Sequence, residues 1–129
     1  LKNSISFPVV GTKWCSVGES FVQALPIGTY IELEPDPDNS FDKTGCAVKV
    51  LADDYHIGYV PNRGYTCSNC WTVVTKNDLF CKECNADCAC FIIGGVATLL
   101  TKGVFNKKDH AAYIKEQKDG LTIIEILIL

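Results

Sequence analysis

Eight cysteines fall in 129 residues, and six of them lie between positions 67 and 90. Cys67-x2-Cys70 and Cys81-x2-Cys84 form two C-x-x-C knuckles with ten residues between them. In each tight turn two thiolates converge on one ion while backbone N–H groups face the sulfurs. Two such turns supply the four tetrahedral ligands that structural zinc takes. The spacer suits a small hairpin over Trp71–Phe80, with Lys76-Asn77-Asp78 at its tip. Cys88 and Cys90 leave the ligand set open: Cys88 could replace Cys81 or Cys84, or both could be spare thiols. Four thiolates leave no coordination position for water, so the predicted Zn2+ is structural rather than catalytic. A rubredoxin-like iron centre uses the same ligands and is the rival. Tyr65, Trp71 and Phe80 are expected to cover the metal rather than bind a base. The even cysteine count permits disulfides, but an oxidised framework spreads its cysteines to tie distant loops. The clustering here favours a reduced, intracellular chain, cytoplasmic or nuclear.

No catalytic set accompanies the thiols. His56 and His110 are the only histidines, and neither stands in a nucleophile motif. Gly94-Gly95 is not part of a phosphate-binding loop. Asp53-Asp54 and the acids of 36–42 are explained by turn chemistry. The expectation is therefore a binding module and not an enzyme, any ATPase activity belonging to another part of a longer protein. Twelve basic and fifteen acidic residues give a net charge of −3, which four thiolates and one divalent ion would move to −5. Coating nucleic acid by bulk charge is excluded.

The elements that must position these residues are short strands. The length suits one domain, able to bury roughly two-thirds of its unfolded surface. With 47% hydrophobic and 21% charged residues the composition is that of a globular domain. No apolar run approaches the ~18 residues of a membrane span, so no membrane partner is expected. LKNSISFPVV offers no secretory core, and Leu1 is not an initiator residue, so the chain reads as processed or excised from something longer. Strands are expected over 5–15, 29–34, 46–51 and 56–60, with a hairpin turn at Asp53-Asp54 and a stop at Pro61. Residues 35–45 form the longest turn segment. After the Cys-rich stretch, β character returns at 91–93 and 96–100. Residues 107–117 fit a helix or a strand equally. Asp119-Gly120 marks a turn into 121–129, apolar on both faces and expected to be a central, buried strand. The pattern predicts a mainly β fold, a small barrel or curled sheet with little helix.

The segments either side of the Cys-rich stretch resemble the HIRAN domain, a module found in the N-terminal region of helicase-like DNA-repair remodellers. The resemblance rests on Val9-Val10-Gly11-Thr12-Lys13-Trp14, then Leu33-Glu34-Pro35, Asp38-Asn39-Ser40-Phe41-Asp42-Lys43, Ala47-Val48-Lys49-Val50 and Ile57-Gly58-Tyr59-Val60-Pro61. Order, spacing and residue type agree over about 55 residues. Two departures stand out. The family follows I-G-Y-V-P with helical segments, where this chain has its cysteines, and the 35–45 loop is longer by a Pro-Asp pair and by Gly45. Segments 96–105 and 121–129 fit the family's closing hairpin by pattern.

The resemblance implies a small SH3- or OB-like β-barrel; with the cysteine reading this gives a single domain over residues 1–129 in which 63–90 is a zinc-ribbon-like, zinc-binding insert. It also implies binding of single-stranded DNA or DNA ends, in company with a helicase or ATPase in the same or another chain. Lys13 would meet a phosphate, Trp14 and Phe41 would stack on terminal bases, and Asp42 would accept from a terminal 3′ hydroxyl, with Lys43 beside it. Blander roles compete at each position. Trp14 could be core, Phe41 a loop anchor, Asp42 a turn cap, and Lys13, Lys43 and Lys49 a solvated face. Glu32, Glu34, Asp36 and Asp38 lead into the loop and oppose a polyanion. The alternative function is a zinc-stabilised protein-interaction module without DNA binding.

Overall fold

The computed structural model describes residues 3–105 and 109–129. Six strands form one antiparallel sheet: β1 (Ser4–Pro8), β2 (Tyr30–Pro35), β3 (Val48–Ala52), β4 (Tyr55–Tyr59), β8 (His110–Lys118) and β9 (Leu121–Ile128), in spatial order β1-β9-β8-β2-β3-β4. Three short strands form a second sheet, β6 (Val73–Val74), β5 (Tyr65–Cys67) and β7 (Phe91–Ile93), in that order. Helix α1 covers Gly18–Gln23, and α2 covers Val96–Leu99 and runs on as a π turn to Val104. The mainly β, curled OB-like barrel expected from the sequence is present.

The large sheet curls because its inward residues are bulky and its ends meet. Val48, Val50, Ile57, Ile114, Ile124 and Ile126 are fully buried, with Phe7, Ile31 and Leu100 beside them. The edges β1 and β4 are joined just past Pro8: Val9 still follows β9, its amide donating to Thr122 (2.9 Å), and then Val10 and Tyr59 on β4 exchange both backbone bonds (3.0 and 2.8 Å). Gly58 permits this closure, since a Cβ there would lie 2.3 Å from Val9 Cγ1 and 2.8 Å from the Val10 carbonyl oxygen. The Asp53-Asp54 turn has both residues at positive φ (50° and 67°), the geometry that matches the twist of a two-residue hairpin.

Several expectations are corrected. The first strand ends at Pro8 rather than 15, because Gly11 turns left-handed (φ 74°) and starts a 3₁₀ turn over Thr12–Trp14. Residues 96–104 are helical, not a strand: Ala97, Leu100 and Val104 recur on one buried face, and the closing hairpin is instead β8–β9. Of the ambiguous segment 107–117, positions 107 and 108 lie outside the described residues, and 110 onward is strand. β9 lies between β1 and β8, but it is buried on one face only, with Leu121 and Leu127 exposed, because a curled single sheet has one interior. Helix α1 has a single buried residue, Val22, which gives its sequence no helical period.

Candidate functional site

The two C-x-x-C turns are built alike. In the first, the Trp71 amide donates to the Cys67 carbonyl (2.7 Å) and the Cys67 amide to the Thr72 carbonyl (2.8 Å). In the second, Asn85 donates to Cys81 (2.7 Å) and Cys81 to Ala86 (2.8 Å). Trp71 and Asn85, each following the second cysteine of its turn, share a left-handed backbone (φ 61° and 62°). The repeated geometry directs four sulfurs to one point. Cys70 and Cys81 Sγ are 3.5 Å apart, Cys67 and Cys84 Sγ 3.7 Å, and all four lie within 4.8 Å of one another. A tetrahedral ion with metal–sulfur bonds of about 2.3 Å needs sulfurs about 3.8 Å apart. The donor set and its spacing therefore fit a metal ion.

The environment of the thiols is uneven. Burial pushes the Cys67 thiol up to about 11 and raises that of Cys70. The Asn69 side-chain amide, 3.3 Å from Cys84 Sγ, together with the Ala86 amide, lowers Cys84 to about 6. Cys88 and Cys90 are exposed on a 3₁₀ turn and stand outside the four-sulfur group. Of the aromatics expected over the metal, Tyr65 packs against the cysteine cluster, as does Phe91, which sequence reasoning missed. Phe80 is largely exposed. Trp71 turns instead to the π turn, where a Cβ on Gly103 would lie 2.8 Å from its ring.

The Cys-rich segment begins and ends at one place. The Gly94 amide donates to the Gly64 carbonyl (2.9 Å), and the Ala97 amide, in the first turn of α2, to the Pro61 carbonyl (3.0 Å). Beyond the cysteines the chain resumes as helix α2 and its π turn.

Of the second group of candidate residues, Lys13 and Trp14 follow the point where the barrel closes. Tyr59 pairs with Lys49 on β3 and with Val10 on the other side. The 3₁₀ turn carrying Lys13 and Trp14 follows the closure directly and runs back along β4, the Thr12 hydroxyl donating to the Ile57 carbonyl (2.7 Å). Trp14 is 79% exposed, so it is not core, and Lys13 Nζ lies 5.2 Å from its ring centroid. Phe41 is 96% exposed and anchors nothing. Lys43 is exposed beside it. Asp42 is engaged within its own loop: Oδ1 accepts from the Thr44 amide (3.0 Å) and hydroxyl (2.8 Å), and Oδ2 from the Cys46 amide (3.2 Å). The carboxylate caps the loop and is half-buried, which leaves part of its acceptor capacity open. Thr44 and Asn62, which hold this loop, gave no motif; the only signal was a polar residue straight after the Pro61 strand stop. The histidines are occupied structurally, His56 with the Gly58 carbonyl oxygen (2.9 Å) and His110 against the Phe105 ring.

A family model described as the HIRAN domain matches residues 2–69, just over half of the chain. Among solved structures the chain is similar to the HIRAN domain of human HLTF, with a TM-score of 0.55 and 16% sequence identity over 98% of this chain and 74% of that one. At that identity the likeness concerns the fold. No curated protein sequence matches.

Proposed function

The chain belongs to the HIRAN domain family, and on that premise we propose that it recognises the 3′ end of single-stranded DNA as a module stabilised by structural zinc. HIRAN domains are DNA-binding rather than catalytic units. The observation that carries the reading is the pair of solvent-facing aromatics, Trp14 at 79% and Phe41 at 96% exposure. Neither ring belongs to the buried core. A base offers each a π-face, and stacking is worth about 1–3 kcal/mol per base.

Lys13 beside Trp14 supplies a cation for the phosphate of a stacked nucleotide, and Lys43 a second one. Asp42, fixed by its loop bonds, accepts from a terminal hydroxyl and repels a terminal phosphate. Few phosphate contacts are needed at an end, so a net charge of −3 is compatible with binding, and few contacts give a shallow dependence on salt. Zn2+ on Cys67, Cys70, Cys81 and Cys84 would hold a segment whose own buried residues are few. Such a module would work inside the cell, cytoplasmic or nuclear, beside a helicase or ATPase in the same polypeptide or another.

The deciding experiment compares labelled strands ending in a 3′ hydroxyl, strands ending in a 3′ phosphate, and closed circles. Preference for the hydroxyl end is the expected result; equal binding to all three refutes end recognition. A second reading, a protein-interaction module, is favoured by the exposed Leu79, Phe80 and Ile93 of the Cys-rich segment. Absence of DNA binding at low salt would select it.

A further inference from the structure

A continuous set of hydrogen bonds runs from the four-cysteine centre to the 36–47 loop, and Asn62 is its middle. Thr66, next to Cys67 on β5 and fully buried, donates to the carbonyls of Gly94 (2.8 Å) and Gly95 (3.1 Å). The Gly95 amide donates to Asn62 Oδ1 (2.8 Å), which also accepts from the Thr98 amide and hydroxyl (3.0 Å each). On its other side Asn62 Nδ2 donates to Thr44 Oγ1 (3.1 Å), the hydroxyl that donates to Asp42. The Thr101 hydroxyl holds the far end of the same loop at the Cys46 carbonyl (3.3 Å). There is no slack where the segment returns: a Cβ on Gly95 would lie 2.2 Å from the Arg63 carbonyl oxygen, and one on Gly94 1.9 Å from Thr98 Oγ1.

We propose that Asn62 is a positioning residue that ties the loop of Phe41, Asp42 and Lys43 to the Cys-rich segment, so that metal occupancy of the four-cysteine centre sets the order of that loop. The physical reason is that a half-buried amide with both ends bonded fixes two elements at once. Losing either side leaves polar groups without partners and lets the other element relax. The consequence for DNA rests on the function proposed above; the coupling itself does not.

Amide hydrogen exchange tests it without DNA. Chelating the metal should speed exchange at Thr44 and Cys46 by about tenfold, the order expected when one buried hydrogen bond is lost. The Tyr59 amide in the barrel closure should stay slow. Thr44→Val should exchange fast at Cys46 already with metal bound, and chelation should add little more; Thr44→Ser should restore the wild-type response. If chelation loosens the knuckle amides of Trp71 and Asn85 but leaves Thr44 and Cys46 unchanged, the proposal is overturned. If chelation unfolds the barrel as well, metal-loaded Asn62→Ala decides: fast Thr44 and Cys46 amides support the tie, and wild-type rates refute it. Coupling that holds in a protein that binds no DNA would refute only the DNA reading.

Discussion

Trp14 and Phe41 are large rings whose removal should cost the fold almost nothing. Trp14→Ala and Phe41→Ala are each expected to weaken binding of a 3′-hydroxyl single strand by about 1–3 kcal/mol. Their melting midpoints should stay at the wild-type value, as for exposed surface substitutions generally. Loss of stability with unchanged binding would make them structural. Asp42 cannot be judged by the same control, because its carboxylate holds Thr44 and Cys46. Asp42→Ala should lower both stability, by about 1–2 kcal/mol, and the preference for a 3′ hydroxyl over a 3′ phosphate. The diagnostic readout is the ratio between the two ends, measured on the folded fraction; an unchanged ratio would leave Asp42 a cap only.

At the scale of elements, two devices hold the barrel. The first is the closure past β1. Gly58→Ala places a methyl against Val9 Cγ1 and the Val10 carbonyl, and should destabilise by about 1–3 kcal/mol in urea unfolding. A neutral result would mean that Val9 and Val10 can move off β4. The second lies on the β8–β9 hairpin, where the Tyr113 hydroxyl donates to Glu125. That bond, and then the Lys115 ammonium 3.4 Å away, holds the Glu125 carboxyl below its usual range. The same bond to Glu125, then burial and the carboxylate charge, raises the Tyr113 hydroxyl. A depressed carboxyl contributes stability above the ordinary glutamate value, near 4.3, and loses it as pH falls through the lower folded value. A raised phenol holds its proton in the folded state, so its contribution is full below about 10 and fades as pH rises past it. Wild type should therefore exceed Tyr113→Phe in stability most between about pH 5 and 9, the gap narrowing at both ends. A gap independent of pH would exclude the carboxylate as the cause.

For the whole molecule, the Cys-rich segment leaves and rejoins the barrel at Gly64 and Gly94, whose backbones are bonded at 2.9 Å. Deleting residues 65–93 and joining these ends with one or two glycines should leave a cooperatively folding barrel of lower midpoint, since Thr66 and the Trp71–Gly103 contact are lost. Absence of a cooperative transition would show that the segment is integral to the core. Elemental analysis of protein purified without added metal should find one zinc per chain. The joint Cys88→Ser, Cys90→Ser variant should keep it and Cys67→Ser should lose it, since only Cys67, Cys70, Cys81 and Cys84 converge. An iron chromophore, or metal retained in Cys67→Ser, would overturn the assignment.

What the chain determined by itself was local. Paired C-x-x-C spacing fixes two identical turns whatever surrounds them, and Asp53-Asp54 and Pro61 punctuate strands through their own backbone preferences. The run from Val9 to Pro61 carried the family pattern because its loop and strand residues are contiguous. Tertiary structure decided the rest. Residues 96–104 are apolar and β-branched enough to read as a strand, yet they pack as a helix because the space beside the sheet takes the Ala97, Leu100 and Val104 face. Trp71 faces Gly103 rather than the metal because a glycine at the π turn leaves room for its ring. Asn62 and Thr44 are unremarkable polar residues until the return of the chain at Gly95 brings their partners within 3.1 Å, which no spacing along the sequence foretells.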